Sequence, residues 1–128
     1  MSFWNSTKRI LIIDDDHSLL RRACIHLQKQ KNIDVVTCDN AEEGVAKAKD
    51  LKPDLIILDW TLPDMEGIDV LPLLKYSDKT KDIPVLMLTG KNKIGNIEDA
   101  FERGADAYIT KPFSLEKLSE KSLSLINE

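Results

Sequence analysis

The stretch Leu55-Ile56-Ile57-Leu58-Asp59-Trp60 limits what this chain can fold into more than any other part of it. Four large apolar residues in succession read as a strand buried on both faces, and such strands belong to parallel sheets. The run then stops on a carboxylate. An ionised Asp at the end of a buried strand must reach solvent, a cation or a set of donors, or it costs several kcal/mol. In open α/β sheets, ligands bind outside the carboxyl ends of the strands. Asp59 is therefore the first candidate functional residue, and the remaining chain can be asked what it brings there.

Other segments repeat the pattern. Lys8-Arg9-Ile10-Leu11-Ile12-Ile13 is an apolar strand that also ends in acid, Asp14-Asp15-Asp16. A helix over Ser18 to Gln30 follows, with Leu20, Ala23, Cys24 and Leu27 as its apolar stripe. Asp16, His17 or Ser18 could cap it. Ile33 to Cys38 is a short strand. Asn40 then caps a helix over Ala41 to about Asp50, with Val45, Ala48 and Leu51 inward and Glu42 and Glu43 in its first turn. After Asp59 comes a turn-rich loop, Thr61 to Gly67, then a helix with Ile68, Leu71 and Leu74 inward and Pro72 near its first turns. Pro84 to Leu88 is a strand ending in Thr89-Gly90. The next helix, about Asn92 to Arg103, carries the stripe Ile94, Ile97, Ala100 and Phe101 and stops at Gly104. Ala107 to Thr110 is the last strand, ending in Lys111-Pro112-Phe113. Ser114 caps a final helix with Leu115, Leu118 and Ile126 inward. Strands alternating with helices mean βαβ units, right-handed crossovers and a doubly wound parallel sheet with helices on both faces.

Composition narrows the functional class. A chain of 128 residues is one domain with a core of its own. A net charge of -4 argues against a broad nucleic-acid-binding face. Cys24 and Cys38 lack metal-type spacing and read as buried free thiols of a reducing compartment. No apolar run has the length of a membrane span, and the first seven residues, a short tail with Phe3 and Trp4, lack the apolar core of a signal peptide. A soluble, cytoplasmic protein is expected.

In a parallel sheet the residues that follow each strand share one edge. Here that edge collects Asp14, Asp15 and Asp16, then Asp59, then Thr89, then Lys111. Carboxylates held within about 4–6 Å repel, and some protonate unless a cation joins them. Magnesium suits such a site, because it takes a few carboxylate oxygens and leaves positions for water and phosphate. A metal beside a free carboxylate, a Lys and a Thr hydroxyl is suited to receive a phosphoryl group, with Asp59 as nucleophile. Each of these residues alone has an ordinary structural use, as cap, turn or solvated charge. Their joint placement at separate strand ends is much harder to obtain that way.

Four segments now match a known family: Ile10 to Asp16, Leu58 to Gly67, Leu88-Thr89-Gly90, and Gly104 to Phe113. The chain resembles a response-regulator receiver domain of two-component signalling over about residues 8–127. The resemblance implies a flavodoxin-like, five-stranded sheet in the order 2-1-3-4-5. It implies that Asp59 accepts the phosphoryl group and that Asp15 binds magnesium directly, Asp14 mostly through water, and Thr61 through its carbonyl. Manganese is expected to substitute. Thr89 and Lys111 would hold phosphoryl oxygens, and Lys111-Pro112 is commonly a cis peptide in the family. Tyr108 resembles the switch aromatic that turns inward when the Thr89 hydroxyl moves. The implied partners are a histidine kinase or phosphotransfer protein and a downstream partner or output domain. The family often meets such partners through the face of the fourth helix, last strand and last helix. Homodimer formation on phosphorylation is a further expectation.

Thr61 and Lys91 occupy positions that tune the lifetime of the phosphorylated form in the family. Lys91 is expected to shield the acyl phosphate, so that Lys91→Ala speeds dephosphorylation. Gly90 reads equally as a mobile corner and as a plain turn glycine, and Trp60 should lie near the metal. Three rivals are weaker. A haloacid-dehalogenase-like phosphatase needs a second Asp where Thr61 stands. A flavin binder needs a hydroxyl- and Gly-rich loop where Asp14-Asp15-Asp16 would repel phosphate. A pseudo-receiver acting only as an interaction module should have lost an acid, the Thr or the Lys.

Overall fold

A computed structural model describes residues 7–90 and 94–127. The elements alternate as expected: β1 (Lys8–Ile13), α1 (His17–Gln28), β2 (Ile33–Cys38), α2 (Ala41–Leu51), β3 (Leu55–Asp59), α3 (Gly67–Lys75), β4 (Val85–Thr89), α4 (Ile94–Glu102), β5 (Ala107–Thr110) and α5 (Leu115–Ile126). The strands form one parallel sheet in the order β2-β1-β3-β4-β5, the order of the flavodoxin-like fold.

Strand alternation divides the core in two. Leu11, Ile13, Ile56, Leu58, Val85 and Met87 face one side, where they pack with Ala41 and Ala48 of α2, Val70, Leu71 and Leu74 of α3, and Ala100 of α4. Ile10, Ile12, Leu55, Ile57, Leu86 and Leu88 face the other, against Leu19, Leu20, Ala23 and Leu27 of α1 and Leu118 of α5. All five residues of β3 are buried, because the strand is central and covered on both faces. Side-chain caps start three helices: Asp16 accepts from the Leu19 N–H, Asn40 from the Glu43 N–H and Ser114 from the Lys117 N–H.

Register positions the carboxyl edge. Ile13 lies beside Leu58 and Asp59 beside Leu88, while Thr89 lies beside Thr110. Asp14 and Asp59 each follow the same paired row, and Lys111 follows Thr110. The topology therefore brings the acids, the hydroxyl and the ammonium to one rim.

Some local expectations need correction. Phe101 was expected to face inward, but it is 42% exposed, and its ring meets Tyr108 edge-on at a centroid distance of 5.7 Å. The buried contact of α4 is the small Ala100 instead. Cys38 is a buried free thiol, whereas Cys24 is half-buried. Val45, Leu51, Leu115 and Ile126 are also half-buried, because the outer rows of short helices sit at the rim of the core. Phe3, Trp4 and Lys91 lie outside the described residues. No helix among the described residues is long and apolar enough to cross a membrane.

Candidate functional site

The rim after β1, β3 and β5 gathers three acids around one ammonium. Asp14, Asp15 and Asp59 each offer a carboxylate oxygen, and these atoms lie within 4.8 Å of one another. Asp14 is fully buried. Its Oδ1 accepts the Asp16 N–H at 2.9 Å, and its Oδ2 accepts from Lys111 Nζ at 3.3 Å. Lys111 Nζ also donates to Asp59 Oδ1 at 3.1 Å. One side chain from just after β5 thus ties the acid that follows β1 to the acid that ends β3. The Lys111 N–H donates to the Thr89 carbonyl at 2.7 Å, which fixes the start of that segment against β4. Lys111-Pro112 is a cis peptide.

The electrostatics are unbalanced. Burial, and then the nearby Asp14 carboxylate, push the Asp59 carboxyl up to about 6, against an opposing pull from Lys111. Burial acts to lower the Lys111 ammonium, but Asp14 and Asp59 outweigh it and hold Lys111 above its ordinary value. Among the described residues, a single monovalent cation, Lys111, faces three acids. Their oxygens are hard donors, close enough to share one ion, and Asp15 is exposed at the open side. This donor set fits a divalent cation of the magnesium class.

The acids open onto a cleft of about 440 Å³ lined by Asp15, Asp59, Trp60, Thr61, Gly90 and Lys111. Of these, Trp60 is buried and Thr61 is exposed. Thr89 is buried at the end of β4. Gly90 is exposed, and among the described residues a Cβ there would meet nothing within 4 Å, so close packing against them does not demand the glycine. Tyr108 is half-buried on β5, away from this lining.

The loop from Thr61 to Glu66 has more architecture than its turn-rich composition suggests. Thr61 and Glu66 form an antiparallel bridge, and the Gly67 N–H donates to the Trp60 carbonyl. A Cβ on Gly67 would overlap the Asp59 carbonyl oxygen, so only glycine lets α3 start this close to the end of β3. Leu62 is buried. Asp64 reaches α2: its Oδ1 accepts the Ala41 N–H at 2.8 Å and its Oδ2 the Glu42 N–H at 3.0 Å. Sequence reasoning missed Asp64. The only hint was an acid in the loop and free N–H groups at a helix start 22–23 residues earlier.

Known proteins with this sequence pattern and shape agree on the class. The family model "Response regulator receiver domain" matches residues 10–122. The chain is 41% identical over 118 residues to the DNA-binding dual master transcriptional regulator RpaA of a Synechocystis species, covering 92% of this chain and 48% of that protein. It is 40% identical over 111 residues to the phosphate regulon transcriptional regulatory protein PhoB of Pseudomonas aeruginosa, covering 87% of this chain and 48% of that one. The chain thus spans about half the length of these relatives. A crystal structure of a CheY-like response regulator receiver domain protein from Methanospirillum hungatei superposes with a TM-score of 0.85 at 34% identity, covering 95% of each chain. Sheet order, acidic rim and family match converge, and the chain belongs to the response regulator receiver domain family of two-component signalling.

Proposed function

We propose that this chain takes a phosphoryl group onto Asp59 from a histidine kinase or phosphotransfer protein, with magnesium or manganese. It then signals through the face of α4, β5 and α5 to a partner or output domain. Residues 8–127 are the receiver domain in this reading, residues 1–7 are a tail, and the setting is cytoplasmic. The observation that carries it is Lys111 Nζ lying within 3.1 Å of Asp59 and 3.3 Å of Asp14, beside a third acid.

Ionised Asp59 is the nucleophile. One of its oxygens bonds to phosphorus as the phosphorus–nitrogen bond of the donor breaks, and that electron pair leaves with the imidazole nitrogen. Lys111 moves from pairing with carboxylates to holding a phosphoryl oxygen, and the Thr89 hydroxyl holds another. Asp14, Asp15, Asp59 and the Thr61 carbonyl would hold the metal. Bound there, magnesium offsets charge on the transferring group and keeps neighbouring carboxylates ionised at neutral pH. Thr61 and Lys91 set the lifetime of the product; water attack at its phosphorus breaks the bond to the Asp59 oxygen, releasing inorganic phosphate and the free carboxylate.

The output is a two-state change. Movement of the Thr89 hydroxyl toward the phosphoryl group opens space for Tyr108. The edge contact of Tyr108 with Phe101 supports a link from β5 to α4. Moving such an equilibrium from mostly off to mostly on takes about 5 kcal/mol of differential stabilisation. Because the relatives RpaA and PhoB are transcriptional regulators by name, we take control of transcription through another domain as the output class. With a charge of -4, this domain itself is not the DNA-binding part. The test is incubation with a small phosphodonor and magnesium followed by mass measurement. One phosphoryl group on wild type and none on Asp59→Ala is the expected result. An unmodified wild type, or a modified Asp59→Ala, refutes the reading.

A further inference from the structure

The start of α2 shows why Asp64 matters. A helix leaves its first N–H groups without partners inside the helix. In α2 the Glu43 N–H is already taken by the N-cap residue Asn40 at 2.9 Å, and the Gly44 N–H by the Asn40 carbonyl at 3.1 Å. The two remaining groups, on Ala41 and Glu42, are both taken by Asp64, one by each carboxylate oxygen. These bonds hold that carboxyl below its ordinary value, the Ala41 bond contributing most. Charge-assisted bonds of this kind are roughly twice as strong as neutral ones, and the positive end of the helix favours the carboxylate further.

What is anchored is the loop rather than the helix, since α2 has its own cap in Asn40. Pro63, Asp64, Met65 and Glu66 are all exposed, and within the span Thr61 to Glu66 only Leu62 is buried. The loop base is closed by the Thr61–Glu66 bridge and the contact of Gly67 with the Trp60 carbonyl. Away from that base, Leu62 is buried in the core and Asp64 makes the polar grip of the loop on another element. Thr61, three residues before it, lines the acidic cleft.

Building on the acceptor-site reading above, we infer that Asp64 is a positioning residue. By gripping the start of α2 with both carboxylate oxygens, it holds the loop so that the Thr61 backbone faces the acids, and it thereby sets the affinity of the site for a divalent cation. Outer contacts that orient ligands typically change metal affinity about 10–100-fold when removed, and a loop tethered elsewhere should fall at the low end of that range.

The test measures Mn2+ dissociation constants by electron paramagnetic resonance of the free ion. It uses wild type, Asp64→Ala, Asp64→Asn and Asp59→Asn at a temperature where each is folded. Amide hydrogen exchange at Ala41 and Glu42 is followed in parallel. The expected result is a roughly tenfold weaker Mn2+ constant for Asp64→Ala. Asp64→Asn, which keeps one acceptor, should fall between it and wild type, and exchange at both amides should quicken. Faster exchange together with a wild-type Mn2+ constant makes Asp64 a helix cap alone and overturns the inference. Should Asp64→Ala fail to fold, Asp64→Asn decides by the same criterion. If wild type takes up no more Mn2+ than Asp59→Asn, the metal site itself fails and this inference fails with it. That outcome is distinct from tight wild-type binding that the Asp64 variants leave untouched.

Discussion

Replacing Asp59 by Asn should stabilise the metal-free protein, although it removes the proposed acceptor. The folded chain raises the Asp59 carboxyl from 3.8 to about 6. Each pKa unit corresponds to about 1.4 kcal/mol, so charging this group in the folded state costs up to about 3 kcal/mol at pH 7.5. An acid raised on folding binds more protons in the native state than in the unfolded one. Its penalty is therefore full above about pH 6, shrinks as the pH falls through the window down to 3.8, and is gone below it. At pH 5 roughly half of the penalty should remain. Asn keeps the shape and an acceptor oxygen for Lys111 but carries no charge. Urea unfolding with a chelator present should show Asp59→Asn more stable by about 1–3 kcal/mol at pH 7.5, with a smaller margin at pH 5. Magnesium should narrow the margin by stabilising wild type. A variant no more stable than wild type at pH 7.5, or a gain independent of pH, refutes the charge-repulsion argument.

Other perturbations probe separate parts of the site. Lys111→Ala leaves the buried Asp14 without its ammonium; since Lys111 is about one-third exposed, destabilisation of about 2 kcal/mol is expected by denaturant titration, with slower phosphoryl uptake by mass. Gly67→Ala forces a Cβ onto the Asp59 carbonyl and should cost about 1–3 kcal/mol in thermal unfolding while weakening Mn2+ binding. Trp60 lines the acidic cleft, so its fluorescence should change on adding magnesium to wild type but not to Asp59→Asn. The fully buried Ser122 hydroxyl has no hydrogen-bond partner among the described residues, and Ser122→Ala should be neutral or stabilise by up to about 1 kcal/mol in urea unfolding.

Much of the candidate site is legible in the sequence. The apolar runs at Ile10–Ile13, Leu55–Leu58 and Val85–Leu88 announced buried parallel strands, and all are buried. Once the strands are parallel, Asp14, Asp59, Thr89 and Lys111 must share a rim, because each ends a strand or directly follows one. The capping roles of Asn40 and Ser114 were equally readable, since a cap acts within three residues of itself. Periodicity puts Phe101 in the inward stripe because it marks a stripe without saying how far the core extends beneath it. At the edge of the sheet, Ala100 fills the space and leaves Phe101 at the surface.

The alternation of strands and helices and the chemistry at the strand ends were written locally, in patterns a few residues long that depend only on backbone geometry and the cost of burying charge, whereas the spatial order of the strands was implied only by the family resemblance. The sharing of one ammonium by acids 97 and 52 positions away, and the grip of Asp64 on a helix start 22–23 residues back, belong to the tertiary structure alone. Those pairings depend on strand register and on how the loop after β3 closes over Gly67. A carboxylate in a turn carries no local mark of which distant donor will come within reach.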